Sequence, residues 1–408
     1  MACGKTLEAG GLCRTGTTLS RKPTIMSVQI EASRVAWVDI AKGFCILLVV
    51  MMHATLGVEK ATGQDTVLNG FIAWAKPFRM PDFFLISGLF LAARINRPWR
   101  PYLDSKVIYF AYFYVLWLTI QFAVKAPGMV AEDGAGTTLA AYLTGLVQPW
   151  GTLWFIYMLA VFFVTAKLLA GAPKALVWAV AAMIYFAAPH TGWLIVDEFA
   201  ARFVFFFTGY WAAPYIFRFA DEVAGQPAAI VAGFLTAWAA LNWLAVENGL
   251  AFATGLDLWV SFAGVAAVVA FAVLLVSTRL GRTLAMLGRN SIKIYLAFPL
   301  FMGPARIVAL KFGAVIPDWA AALISTSAGV AGALVLAHLV QGTRFAFLFA
   351  RPGTFSLTAT SDAQAAPARP VAAVYPGGVG AGIDAGSAGA VVGTALSATV
   401  FKLARPRS

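Results

Sequence analysis

The sequence predicts an all-α protein, a polytopic transmembrane bundle of about ten helices with both chain termini on the cytoplasmic side. Three observations predict it. Of 408 residues, 61% are hydrophobic and 12% are charged, whereas an ordinary soluble domain carries about a quarter charged residues. The apolar residues gather into runs of about 20, the length needed to cross a hydrocarbon core of roughly 30 Å. Between the runs, Lys and Arg concentrate in alternate loops, as the positive-inside rule describes for cytoplasmic segments.

In chain order, the apolar periodicity places spans near 40–57, 80–95, 106–124, 152–170, 175–190, 199–217, 228–246, 257–277, 291–310 and 319–341. Arg94, Arg97, Arg100 and Lys106 share one side with Lys167, Lys174, Arg218, Arg279, Arg282, Arg289, Lys293, Arg344 and Arg351. The other side has fewer bases, among them Lys60, Lys125 and Lys311, diluted by Glu59, Asp65, Glu132, Asp133, Glu247 and Asp318. An even number of spans returns both termini to the basic side.

Three regions follow: an N-terminal tail over 1–33, a transmembrane domain over 34–342 and a tail over 343–408. The first 25 residues lack the apolar core of a signal peptide. Met26 opens MSVQIEASRVAWVDIAKG, which reads as an alternative start. Residues beyond Pro352 are rich in Ala, Gly, Ser, Pro and Thr. That composition cannot support a packed core and predicts a disordered cytoplasmic tail.

The formal charge of +12 does not imply nucleic-acid binding, because the bases sit in loops between apolar runs. Their expected partner is the anionic lipid surface. Cys3, Cys13 and Cys45 form no CxxC pair and no metal-ligand spacing, so neither a disulfide framework nor a metal site is expected. Cys45 reads as a small buried residue.

Chemistry must therefore occur among the helices. The first span reads Asp39-Ile-Ala-Lys42-Gly43 and continues to His53. Ionisable residues within a span are expensive and mark functional sites by default. Lys42 and His53 are three helical turns apart on nearly the same face, with a separation of roughly 16 Å along the axis. Asp39 lies one turn before Lys42. Asp39 and Lys42 would serve equally well as headgroup anchors, whereas an apolar span has little structural use for an imidazole. Neutral histidine accepts a proton near pH 7, which suits general-base activation of a hydroxyl.

The second constellation is Phe78-Arg79-Met80-Pro81-Asp82-Phe83-Phe84-Leu85-Ile86-Ser87-Gly88. With Pro81 near a helix start, Arg79 and Asp82 are expected at the outer mouth of the second span, near His53. Arg79 there would stabilise developing negative charge, or form an interfacial pair with Asp82. Ser87 and Gly88 suit close helix packing better than nucleophilic catalysis. His190 at a span end and His338 in a late span are weaker candidates.

The runs WVDIAKGFCILLVVMMH and FRMPDFFLISGLF, with Leu153-Trp154-Phe155 and Gly288-Arg289-Asn290-Ser291…Tyr295, resemble the acyltransferase-3 family of membrane proteins. The resemblance covers about 34–342 and is strongest over the first two spans. It implies transfer of an acyl group, usually acetyl, from a cytoplasmic acyl-CoA such as acetyl-CoA. The implied acceptor is a hydroxyl of a cell-surface or lipid-linked carbohydrate. The implied location is the cytoplasmic (inner) membrane.

By the same resemblance His53 matches the essential histidine, and Lys42 stands where many members have Arg. Lys42, Arg34 and Asp39 would then serve the donor end. Two departures stand out: Phe298 occupies a place where many members carry His, and Asp82 a place that is often apolar, a change that bears on acceptor specificity. A transporter or flippase of a sugar-like substrate, with His53 and Lys42 in binding or proton relay, is the principal alternative. A silent scaffold would leave the ionisable face without purpose.

Overall fold

Every span prediction above rests on the need of a chain in lipid to satisfy its backbone internally, which only helices or closed barrels achieve. The computed structural model describes residues 25–313 and 315–357, with side chains from Ala36 onward. Among the described residues the regular structure is entirely helical. The helices are α1 (Ile25–Thr62), α2 (Asn69–Leu89), α3 (Trp99–Leu103), α4 (Tyr109–Asp133), α5 (Ala135–Val147), α6 (Trp154–Leu168) and α7 (Lys174–Ala187). They continue as α8 (Leu194–Trp211), α9 (Ala213–Ala224), α10 (Ala228–Glu247), α11 (Asp257–Leu274), α12 (Arg279–Arg289), α13 (Ser291–Lys311) and α14 (Asp318–Leu339).

By length and composition, seven segments can cross a membrane: Ala36–Thr62, Trp99–Asp133, Ala135–Leu168, α10, α11, α13 and α14. The other expected spans coincide with α2, α7 and α8. Helices α2 and α8 each carry three ionisable residues, Lys76, Arg79 and Asp82 in one and Asp197, Glu198 and Arg202 in the other. Helix α7 has 14 residues, fewer than a full crossing needs.

Several boundaries differ from those expected, each for a local reason. The second span, expected over 80–95, is a helix that ends at Leu89 and holds Pro77 and Pro81 in its interior. Pro81 has no N–H, so the carbonyl of Pro77 loses its helical donor; the hydroxyl of Ser261 on α11 donates to that carbonyl instead, at 2.7 Å. The span expected over 199–217 divides at Ala212, where Pro214 begins the next helix.

The span expected over 152–170 is the second half of a broken one. Helix α5 was not expected, because its sequence AGTTLAAYLTGLV dilutes the apolar signal with Gly and Thr. Between α5 and α6 the backbone leaves the helix at Gln148, and Gly151 adopts φ +58°.

The first helix forms the hub, packing against α2, α11, α12, α13 and α14. Two crossings bring backbones together. Gly43 of α1 lies against the carbonyl of Leu284 on α12, and Gly288 of α12 lies against that of Asp39. Gly88 of α2 and Gly209 of α8 meet the carbonyls of Phe206 and Leu85 in the same reciprocal way. A Cβ at any of these positions would collide with backbone. Such close approach replaces the hydrophobic drive that lipid does not provide between helices. The packing role expected for Gly88 is the one found, and the Ser87 hydroxyl is bonded to the Phe83 carbonyl at 2.7 Å.

Residues 343–357, the first part of the region expected to be tail, form two 3₁₀ turns docked on α4. Arg351 pairs with the buried Asp104 at 2.8 Å, and the Leu357 amide donates to the same carboxylate. The alternative start at Met26 and the side chain of Arg34 lie outside the described side chains, and the N-terminal residues 1–24 and the tail from 358 lie outside the described residues.

Candidate active site

Helical spacing dictates that Ile46, Val49 and His53 share one face of α1, and all three line a single cavity. The cavity has a volume of about 190 Å³ and is partly open at the surface. Arg79, Met80 and Phe83 of α2 form a second wall, the start of α6 a third, and Arg202 of α8 with Ser291, Ile292 and Tyr295 of α13 complete it. The apolar lining is extensive, with a few polar groups converging on it: His53, Arg79, Thr152, Arg202, Ser291 and Tyr295.

The helix break beside this cavity is held by tyrosines. The Tyr295 hydroxyl donates to the carbonyl of Thr152 and accepts from the amide of Phe155, the latter at 3.2 Å. Tyr114 donates to the carbonyl of Gly145 and accepts from the amide of Trp150, the latter at 3.2 Å. Non-helical backbone at membrane depth is tolerated where protein partners satisfy it or it lines a cavity. Here both conditions hold, and the break brings Thr152 into the wall.

His53 is half-buried, and its ring lies 5.5 Å from that of the fully buried Phe298. The residue that departs from the family pattern therefore packs directly on the candidate base. Arg79 is 6% exposed. One amino nitrogen lies 2.7 Å from the Met52 sulfur, a weak acceptor. Its Nε and Nη1 have no hydrogen-bond partner in the protein.

The Arg79–Asp82 pair, one of the two readings of this motif, does not form. Asp82 is fully buried, accepts a hydrogen bond from the Cys45 thiol at 2.8 Å and does not line the cavity. Helix α2 begins well before Pro81, which carries both residues from the expected mouth into the bundle. Cys45 is buried, as expected.

Lys42 and Asp39 form an ion pair at 3.9 Å. They lie at the other end of the α1 face and do not line the His53 cavity. Lys42 sits 5.9 Å from the Phe90 ring, and Lys106 feels the charges of Lys42, Arg94 and Arg97. The chain thus gathers Arg94, Lys42 and Arg97 about Lys106. Exposed His190 and His338 are away from the cavity. No His, Cys, Asp and Glu grouping that could hold a metal occurs among the described residues.

Sequence reading missed Arg202 and Thr152. Arg202 lies in no motif that singles it out in the sequence. Its position one turn after Glu198, to which it pairs at 3.1 Å, gives no sign that it lines a cavity with Arg79.

Comparison with known proteins bears on this arrangement. The description "Acyltransferase domain" matches residues 35–338. The inner membrane protein YcfT of Escherichia coli (strain K12) is 27% identical over 233 residues, which cover 51% of this chain and 64% of that protein. The chain therefore spans less than two thirds of the length of this curated relative. No solved structure matches.

Proposed function

The chain belongs to the family defined by this acyltransferase domain, and from that premise we propose that it is an inner-membrane O-acyltransferase. It moves an acetyl group from a cytoplasmic acyl-CoA to a hydroxyl of a cell-surface or lipid-linked carbohydrate. The observation that carries this reading is the shared cavity of His53 and the unpaired Arg79 guanidinium.

The proposed step is a direct transfer. The acceptor oxygen attacks the thioester carbonyl carbon while neutral His53 takes the hydroxyl proton. Negative charge builds on the carbonyl oxygen, where Arg79 has hydrogen-bond donors to spare. The C–S bond then breaks, and the proton passes from His53 to the departing sulfur, giving the free thiol and the ester. Lys42, supported by Asp39 and joined by Arg34, attracts the donor's phosphates. The roughly 16 Å between Lys42 and His53 leaves the thioester to be carried inward on an extended arm.

In this proposal the bundle crosses the bilayer ten times, with both termini cytoplasmic, the short α7 crossing where the bilayer thins around it. Helices α2 and α8 cross despite their charges because Arg79 and Arg202 face the cavity, the expected disposition of charged residues inside a membrane. The relative's name, an inner membrane protein, supports the proposed location.

A second reading has one observation in its favour: the broken span at 148–153 beside the cavity is a device that transporters use at substrate sites. One comparison separates the two. Ester-linked acyl groups on surface glycans are measured in cells carrying the wild-type chain, His53→Ala at matched membrane level, or neither. Acylation by wild type alone fits the proposal; equal acylation by His53→Ala removes the base, and no acylation by wild type favours transport of a sugar-like substrate.

A further inference from the structure

Arg79 and Arg202 come from different helices, line the same cavity, and are accompanied in its lining by no Asp or Glu. Arg202 has a partial counter-charge in Glu198 on its own helix, bonded only through Nε. Arg79 is 6% exposed, its one hydrogen-bond partner among the described residues is a thioether, and two of its nitrogens have no partner. A guanidinium buried in this state is costly unless an anion meets it. Asp82, three residues on, is committed to Cys45 rather than to Arg79.

A transient oxyanion during acyl transfer calls for one cationic donor. Two guanidinium groups in a single carboxylate-free wall exceed that need. Planar, permanently charged forks are the side chains best matched to carboxylate and phosphate. Thr152, whose buried hydroxyl has no partner, and Ser291 can supply neutral donors in the same wall.

We propose that Arg202, beside the Arg79 that serves the oxyanion, forms an anion subsite, and that the acceptor is an acidic carbohydrate whose carboxylate or phosphate docks there. This rests on the acyl-transfer reading and narrows its substrate class. Arg202 is a binding residue in this scheme, and the anion it grips sets which acceptor hydroxyl reaches His53. The anion has two possible carriers, the sugar itself or a diphosphate that links it to lipid.

Membranes holding the full chain are incubated with acetyl-CoA labelled in the acetyl group, and the labelled product is passed over an anion exchanger. Retention is expected. If retention survives mild acid, which cleaves a lipid diphosphate, the anion is on the sugar; loss after acid places it in the linker. Phosphatase then distinguishes phosphate from carboxylate. A neutral labelled product before acid treatment overturns the subsite while leaving acyl transfer intact. If wild-type membranes give no labelled product beyond that of His53→Ala membranes, acyl transfer fails and the subsite with it.

The acceptor recovered by alkaline removal of acetyl from that product then serves for kinetics. Arg202→Gln is expected to raise its KM about tenfold or more, the worth of a charge-assisted hydrogen bond, with kcat held within about twofold. Arg202→Lys should recover part of the loss. An unchanged KM in Arg202→Gln overturns the proposal.

Discussion

The two ends of the functional face of α1 are built on opposite terms. At the Lys42 end, Asp39 answers the lysine's charge, and α12 presses so closely that Gly43 and Gly288 have no room for a Cβ. At the His53 end the helices part around a cavity, a span breaks, and Arg79, Thr55 and Thr152 keep buried polar atoms unpartnered. Unsatisfied polar groups cost stability wherever they are buried. The chain therefore spends close packing at one end of a helix and tolerates unpartnered polar atoms at the other. Substitutions at the glycine crossing of the first end should act on folding, at its ion pair on donor binding, and at the second end on turnover.

The largest effect is expected at His53. His53→Ala should lower acyl transfer by about 10²–10⁴-fold, the worth of a positioned general base, with the protein present at its normal level. A loss of protein in parallel with activity would erase the contrast between the two ends. Because the base must be neutral, its protonated fraction sets the pH dependence. Turnover should be full above the ordinary imidazole range and fall as the pH drops through the pKa; a flat profile down to strongly acidic pH would remove His53 from that role.

Next in size is the crossing at Gly43. Gly43→Leu should force α1 and α12 apart and cost about 1–3 kcal/mol or more, as overpacking does. The amount of folded protein in detergent and its melting temperature would report this. A stable variant with selectively lost turnover would show that the crossing serves donor binding rather than folding.

A smaller effect tests the boundary between the ends. Tyr295→Phe removes the hydroxyl that serves both Thr152 and Phe155 across the break. Each lost bond is worth about 1 kcal/mol, so we expect a modest loss of stability together with a kcat about tenfold lower, since Thr152 shares the cavity wall. The smallest effect is expected for Asp39→Asn. That ion pair is partly exposed, and such pairs contribute about 0–1 kcal/mol, so melting should barely move. A large drop in stability would mean that the pair is a structural keystone of the tight end.

What could be read in advance divides along a physical line. Composition and apolar run length determined the helical membrane class, and the helical repeat alone put Lys42 and His53 on nearly one face, three turns apart. The paired motifs around His53 and Arg79 pointed to the family that the domain match over 35–338 shows. Those relations hold within one helix, whose geometry is fixed by 3.6 residues per turn. Relations between helices carry no such rule.

Only the folded bundle placed Arg202 beside the Arg79 cavity, buried Asp82 against Cys45, and set Phe298 on the His53 ring. The depth of Arg79 within α2 also waited on the fold, because Ser261, distant in sequence, takes over the carbonyl that Pro81 leaves without a donor. The break at 148–153 likewise depends on Tyr114 and Tyr295, which reach it from α4 and α13. Periodicity records which way a side chain points along its own helix; which distant helix meets it there is decided by packing between surfaces far apart in the chain.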